Sequence, residues 1–355
     1  MSVVMLPIVV VAALLVGCAE RAIPATTHSA DKRPATTEVS AVAMPAAPSV
    51  TIDPKLPAYT AVSSVSGSVK SVGSDTMNDL MTLWSEGFRS VYPSVRIEIE
   101  GKGSSTAMPA MIAGTATFGP MSREPKSSEI DPFEKKFGYK PTLLPAAVDM
   151  LAVYVNKDNP IRGLTLAQID AIYSQHRKGG HPKNVATWGD LGLSGEWENR
   201  SISLYGRNAA SGTNGYFKEH ALFGGDYKGS VKELPGSSSV VQAVAGDKYA
   251  IGYSGIGYLT AGVRAVPLAE ENGLPLIPAD AQHAYSGEYP LARLLLIVVN
   301  FKPGVPLDPL RREFICYVYS EPGQRNVIKA GYFPVNDRIA QKSLSVVDLG
   351  GDGRP

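Results

Sequence analysis

The chain of 355 residues is poor in cysteine, histidine and surplus charge, and none of its apolar runs is long enough to cross a bilayer. Two cysteines cannot build a disulfide framework, and five scattered histidines leave little material for a zinc site. Lys and Arg number 34 against 33 Asp and Glu, a formal net charge of +1. A general nucleic-acid binder needs a basic excess on one face, so that class is set aside. Several catalytic motifs are missing as well. There is no HExxH and no Walker loop with its GK[ST] ending. Gly252-Tyr253-Ser254-Gly255-Ile256 lacks the second glycine of a nucleophile elbow. His176 and His181 fall among Arg177, Lys178 and Lys183, which reads as a solvated turn rather than a metal site.

What is present is an ordinary globular balance, 44% hydrophobic and 19% charged, at a length suited to two domains. The first 18 residues are different. Val3 to Val16 is apolar except for Pro7, and it ends in Leu15-Val16-Gly17-Cys18. The run is too short to span a membrane and fits the h-region of a secretory signal, although no Lys or Arg precedes it. Residues 19–65 are dominated by Ala, Pro, Ser and Thr, with Tyr59 as the only aromatic. Such material buries too little apolar surface to offset its ordering entropy, so it is expected to be a disordered, semi-extended tether. Cys316, between Ile315 and Tyr317, reads as core.

The remainder alternates strand and helix patterns. Strands are expected at Val69 to Val72, Val95 to Ile99, Thr117 to Gly119, Val148 to Val155, Ile202 to Tyr205, Tyr249 to Ser254, Val263 to Leu268 and Leu294 to Val299. Helices are expected at Met77 to Val91, Met108 to Ile112, Leu166 to Tyr173, Tyr216 to Phe223, Leu307 to Tyr319 and Gly323 to Lys329. This order implies an α/β fold with largely parallel sheets.

Three strand-to-helix turns share one composition: Gly73-Ser74-Asp75-Thr76, Gly101 to Thr106 (Gly-Lys-Gly-Ser-Ser-Thr), and Arg207 to Thr213 (Arg-Asn-Ala-Ala-Ser-Gly-Thr). Each sets Gly and Ser/Thr where the first helical turn leaves backbone N–H groups without partners and the helix dipole is positive. Any one of them is explained by ordinary capping. Three together, one carrying an arginine, point to an oxyanion site of mainly neutral donors at the C-terminal ends of the strands. Arg207 adds a bidentate, charge-assisted donor.

These residues carry a resemblance. Ser71 to Asn336 resembles the periplasmic phosphate-binding proteins of bacterial high-affinity phosphate ABC transporters, most specifically at Arg207-x-x-x-Ser211-Gly212-Thr213. Gly103-Ser104-Ser105 and Gly73-Ser74-Asp75-Thr76 are the second and third matches, and Asp149 through Asn156, Leu164 to Tyr173 and Trp188-Gly189-Asp190-Leu191 support them. Leu15 to Cys18 resembles a bacterial lipobox, which implies cleavage before Cys18, lipid on its thiol, and a periplasmic, membrane-anchored protein. Ala19 leans towards the outer membrane.

The resemblance implies a class II periplasmic-binding-protein fold, two α/β lobes with a ligand cleft between them. Lobe 1 would be residues 66–148 and 264–355, and lobe 2 residues 149–263. It further implies a non-catalytic protein without cofactor that binds inorganic phosphate and hands it to an ABC permease. The implied ligands are Ser74, Thr76, Ser104, Arg207, Ser211, Gly212 and Thr213, with the Met77 N–H as a further donor. Some relatives place a proton-accepting aspartate after the Phe-Gly strand, whereas here Phe118-Gly119-Pro120-Met121 leads into Ser122-Arg123. Ser122 and Arg123 would be extra donors, and Asp149 would accept the proton that distinguishes hydrogen phosphate from sulfate. For Asp149 and Arg123 the alternatives are a loop-capping carboxylate and a surface salt bridge. Two other readings stay open: a binder of sulfate or molybdate, and a surface lipoprotein of the same fold used in adhesion, matrix assembly or phosphate sensing. A phosphatase would need a metal cluster or activated nucleophile, and the sequence shows neither.

Overall fold

The computed structural model describes residues 50–63 and 65–350. The signal segment, Cys18 and the tether up to residue 49 lie outside the described residues. In chain order the elements are β1 (Gly67–Val72), α1 (Asn78–Val91), β2 (Val95–Glu100), α2 (Ala107–Ala113), β3 (Phe118–Met121), α3 (Ser127–Phe137), β4 (Thr142–Asn156) and β5 (Leu164–Thr165). There follow α4 (Leu166–Tyr173), β6 (Ser203–Arg207), α5 (Gly212–His220), β7 (Lys232–Leu234), α6 (Ser237–Gly246), β8 (Ala250–Gly255), β9 (Val263–Ala265) and β10 (Leu268–Ala269). The chain closes with α7 (Ala281–Ser286), β11 (Ala292–Val299), α8 (Pro309–Val318), α9 (Glu321–Lys329), β12 (Phe333–Pro334) and α10 (Asp337–Ser345).

The main sheet runs β2-β1-β3-β11-β4-β8-β6-β7, with β9 and β12 added on β4. Its flanks are parallel, β2 with β1 and β3 on one side, β8 with β6 and β7 on the other. The centre is not. β11 runs antiparallel to both β3 and β4, and β4 antiparallel to β8. The expectation of a largely parallel sheet therefore holds only at the flanks. The continuous apolar run of β11 reflects cover on both faces, and that cover is compatible with either strand direction.

β4 joins the two strand groups. Its residues 142–150 pair with β11, and residues 151–156 pair with β8 and β9. From Ala146 to Asn156 all but Val148 are buried, because neighbours lie on both sides along the whole length. β10 pairs with β5, so strand pairing with the 149–263 segment continues to Ala269.

Helical spacing accounts for the packing on the sheet. Leu80, Trp84 and Phe88 of α1 recur every four residues and are fully buried. Trp84 donates its indole N–H to the Gly323 carbonyl at 2.8 Å, tying α1 to α9. The helix expected from Tyr216 begins earlier, at Gly212, because Ser211 caps it by accepting from the N–H groups of Thr213 and Asn214. It stops at His220, before Phe223 takes a left-handed φ of 50°.

The last part of the expected tether departs from that expectation. Leu56 and Val65 are each 5% exposed and belong to the core. The Tyr59 hydroxyl bonds the Tyr92 hydroxyl and the Glu313 carboxylate, each at 2.9 Å, and the Pro57 carbonyl accepts from the Glu321 N–H at 2.8 Å. The few apolar residues of this stretch are concentrated near its end, and there they find a surface to bury against. Replacing Leu56 with alanine should cost about 2 kcal/mol or more of stability, read as a lowered midpoint in urea unfolding.

Candidate functional site

The three Gly/Ser/Thr turns meet. Gly73 to Thr76 leaves β1 and enters α1 through a tight turn at Asp75–Met77. Gly101 to Thr106 leaves β2 and enters α2 in the same way. Arg207 ends β6, and Ser211 caps α5. Thr76 Oγ1 lies 2.8 Å from Thr213 Oγ1. Ser105 donates both its backbone N–H, at 3.2 Å, and its hydroxyl, at 2.7 Å, to the Ala210 carbonyl.

Two glycines make this approach possible. Gly103 adopts a φ of 107°, and a Cβ there would sit 2.4 Å from the Ala210 carbonyl oxygen. A Cβ on Gly212 would lie 2.2 Å from Ser104 Oγ and 2.6 Å from Ser122 Oγ. Gly103 thus packs against backbone and Gly212 against the facing serine hydroxyls, and neither leaves room for a Cβ.

The structure thus brings Thr76 to Thr213 and Ser104 and Ser122 to Gly212, joins Ser211 to Thr213, and links Arg207 to the first turn through Asp75; all of these but Asp75, and Ser74 beside it, are buried. The hydroxyls here are largely committed as acceptors from the protein. Ser104 Oγ accepts the Ser122 N–H at 3.0 Å, and Ser211 Oγ accepts from Thr213 and Asn214 at 3.2 and 3.4 Å. A hydroxyl that accepts in this way keeps its proton for something else. Among the described residues, Ser74 Oγ and Arg207 Nε are buried and have no hydrogen-bond partner.

Arg207 is 1% exposed. Nη1 donates to Ser237 Oγ at 2.5 Å, while Nη2 donates to the Pro235 carbonyl at 3.0 Å and pairs with Asp75 Oδ2 at 3.1 Å. Burial pulls its pKa below the usual arginine value, and Asp75 opposes that pull. The loop is braced from behind: the Asn214 amide donates to the Arg207 carbonyl at 2.7 Å, and the Arg207 N–H donates to the Tyr253 hydroxyl at 3.3 Å.

Asp149, fully buried on β4, pairs with Arg293 on β11. Its Oδ2 accepts from Arg293 Nε and Nη2 at 2.9 and 2.7 Å, and its Oδ1 accepts the Ile256 N–H at 3.1 Å. Burial pushes the Asp149 carboxyl up, against the pull of Arg293 and the backbone N–H donors. Arg123, next to Ser122, directs its guanidinium elsewhere. Its guanidinium is taken by Glu129, at 2.7 and 2.8 Å, and by the Glu124 carbonyl at 2.8 Å. Burial alone would raise the Glu129 carboxyl, but Arg123 and the Lys126 N–H hold it below its usual value.

Sequence reasoning missed Arg293 and Ser237, and it gave Asp75 no role of its own. Ser237 follows Gly236 and opens α6, a turn of the same composition as the other three. Arg293 sits beside an apolar run, where a lone charge is itself a signal.

Comparisons with known proteins place the chain in a family. A family profile described as a PBP superfamily domain matches residues 58–322. The chain is 51% identical, over 84% of its length and 92% of the relative's, to the phosphate-binding protein PstS of Pseudomonas aeruginosa. It is similar to a putative phosphate ABC transporter substrate-binding protein with bound phosphate from Clostridium perfringens, at 27% identity and a TM-score of 0.64, covering 76% of this chain and 100% of that one. An ABC-type phosphate transport receptor from Vibrio cholerae shares the fold at 22% identity and a TM-score of 0.58, over 75% of this chain and 100% of that one.

Gly212→Ala should leave the chain folded but hold the facing turns apart, weakening anion binding about 10-fold or more by calorimetry. Glu129→Gln should cost about 1 to 3 kcal/mol at pH 7. Because the folded carboxyl is lowered from 4.5, the loss should be full above that pH and fade as pH falls through the lowered value, as urea unfolding at several pH values would show.

Proposed function

We propose that this chain, which belongs to the PBP superfamily and within it to the PstS phosphate-binding proteins, binds inorganic phosphate in its cluster of helix N-termini and delivers it to an ABC permease. The observation that carries the reading is that two of the buried polar atoms without protein partners among the described residues, Ser74 Oγ and Arg207 Nε, belong to the turns that meet here. A buried N–H or O–H left alone is costly, and an oxyanion supplies the missing acceptor. Charge supports it too. Arg207 and Arg293 are each paired with a carboxylate, Asp75 and Asp149, so the site attracts an anion through oriented neutral donors rather than through net charge.

The role is capture, not catalysis. The site hydroxyls bond to backbone N–H groups, other hydroxyls and Arg293, none of which is a general base that would activate a nucleophile. We read the body as two lobes, residues 66–148 with 264–355 and residues 149–263, closing about the strands that connect them. Thr76, Ser104 and Ser74 then approach Arg207, Ser211, Gly212 and Thr213 from opposite lobes. Asp149 Oδ1 is the acceptor for the proton of hydrogen phosphate, which sulfate lacks. A signal segment ending at Cys18, with lipid on its thiol, would hold the protein in the periplasm at a membrane. No described helix is long and apolar enough to cross one.

Calorimetry of the purified chain with phosphate, sulfate and molybdate tests this reading. Phosphate should bind and sulfate stay silent, with Arg207→Ala weakening phosphate about 100-fold or more. Folded protein, stripped of bound ligand, that gave no phosphate heat would overturn the reading. Asp149→Asn should admit sulfate, and unchanged selectivity would remove Asp149 from the proton-reading role. Labelled palmitate should be incorporated by the wild-type chain in cells and lost in Cys18→Ala.

A further inference from the structure

We propose that Arg293 orients the hydroxyl donors of the phosphate site through Thr213, an inference that rests on the phosphate reading above. Arg293 lies near the start of β11, directly opposite Asp149 in the ladder, with its side chain only 2% exposed. Its fork is fully placed. Nε and Nη2 hold Asp149 Oδ2, Nη1 donates to the Ser122 carbonyl at 2.9 Å, and Nη2 also donates to Thr213 Oγ1 at 2.9 Å. One planar group therefore joins the chain after β3, the middle of β4 and the first turn of α5. The Tyr216 ring lies 5.4 Å from the guanidinium carbon, and its hydroxyl donates to the Ala292 carbonyl at 2.7 Å, covering the remaining side.

The consequence follows from hydrogen-bond direction. A threonine hydroxyl has one proton to donate and lone pairs to accept, whereas a guanidinium only donates. Thr213 Oγ1 must accept from Arg293, so its proton points away, towards Thr76 Oγ1 at 2.8 Å or the anion. When Thr76 accepts that proton, its own is turned outward in the same way. The order Arg293, Thr213, Thr76 ends in an O–H donor instead of a lone pair. A phosphate dianion offers mainly lone pairs, so a lone pair facing it would repel. Charge at the head of the chain also polarises each hydroxyl after it. Asp149 and the Ser122 carbonyl occupy the rest of the fork and fix its plane. Arg293 is thus a positioning residue that acts on the ligand through Thr213.

A double-mutant cycle on the full-length chain tests this, with phosphate affinity by calorimetry and folding followed by urea unfolding. Arg293→Gln and Thr213→Val should each weaken phosphate about 10- to 100-fold. The double variant should be no more than about 3-fold weaker than Thr213→Val alone. Arg293→Lys keeps the charge without the fork and should stay weakened. If Arg293→Gln does not fold with Asp149 left unpaired, the same cycle is run in the Asp149→Asn background, where the Arg293→Gln corners bury neither charge. Full additivity of the two substitutions, or wild-type affinity in the Arg293 variants, would overturn the proposal while leaving phosphate binding intact. A wild-type chain that bound no phosphate would instead overturn the functional reading, and this proposal with it.

Discussion

A guanidinium donates five N–H groups and accepts none, and two buried arginines impose that asymmetry on everything around them. Arg207 and Arg293 are almost fully enclosed, yet each has a carboxylate beside it, so neither stands as an uncompensated buried charge. What remains after pairing is direction. Carbonyls of Pro235 and Ser122, the hydroxyls of Ser237 and Thr213, and the carboxylates of Asp75 and Asp149 all serve as acceptors. Hydroxyl protons nearby are displaced towards the space between the turns. The site draws on neutral donors because the charges of its buried cations are already paired with carboxylates.

That arrangement works against stability at several points. Buried polar atoms without partners, such as Ser74 Oγ and Arg207 Nε, carry a desolvation penalty in the folded protein. Gly103 and Gly212 give up side-chain packing and add backbone entropy to the unfolded state so that two turns can touch. The scaffold offsets these costs away from the site. β4 is buried along most of its length, α1 is pinned to α9 through Trp84, and the segment ending at Val65 adds Leu56 and Tyr59 to the body. The strands that carry Asp149 and Arg293 are also the central antiparallel pair, and both side chains are buried there.

Much of this was legible in the residues. Leu166–Tyr173 was read to its exact limits, because Thr165 and Gln168 form a capping box ahead of an apolar face. The elements that escaped notice had weak or contradictory local signals. α3 carries Pro132 in its interior, α6 opens on serines, and α10 buries only Ala340, Ser343 and Leu344. Strand direction was misjudged at the centre of the sheet, since an apolar run reports cover and not orientation.

The sequence by itself determined the chemistry of each turn. Glycine, hydroxyl and helix start lie within a few residues of one another, and capping and dipole effects decay within a single turn of helix. It could not decide which charges would face the site. Arg123 follows Ser122 directly, yet its fork goes to Glu129, six residues further on, in the first turn of α3. Arg293, 80 residues from Thr213 and 144 from Asp149, reaches both. Charge pairing depends on distance through space in a medium of low dielectric, and for Arg293 and Asp149 the antiparallel register of β4 against β11 sets that distance.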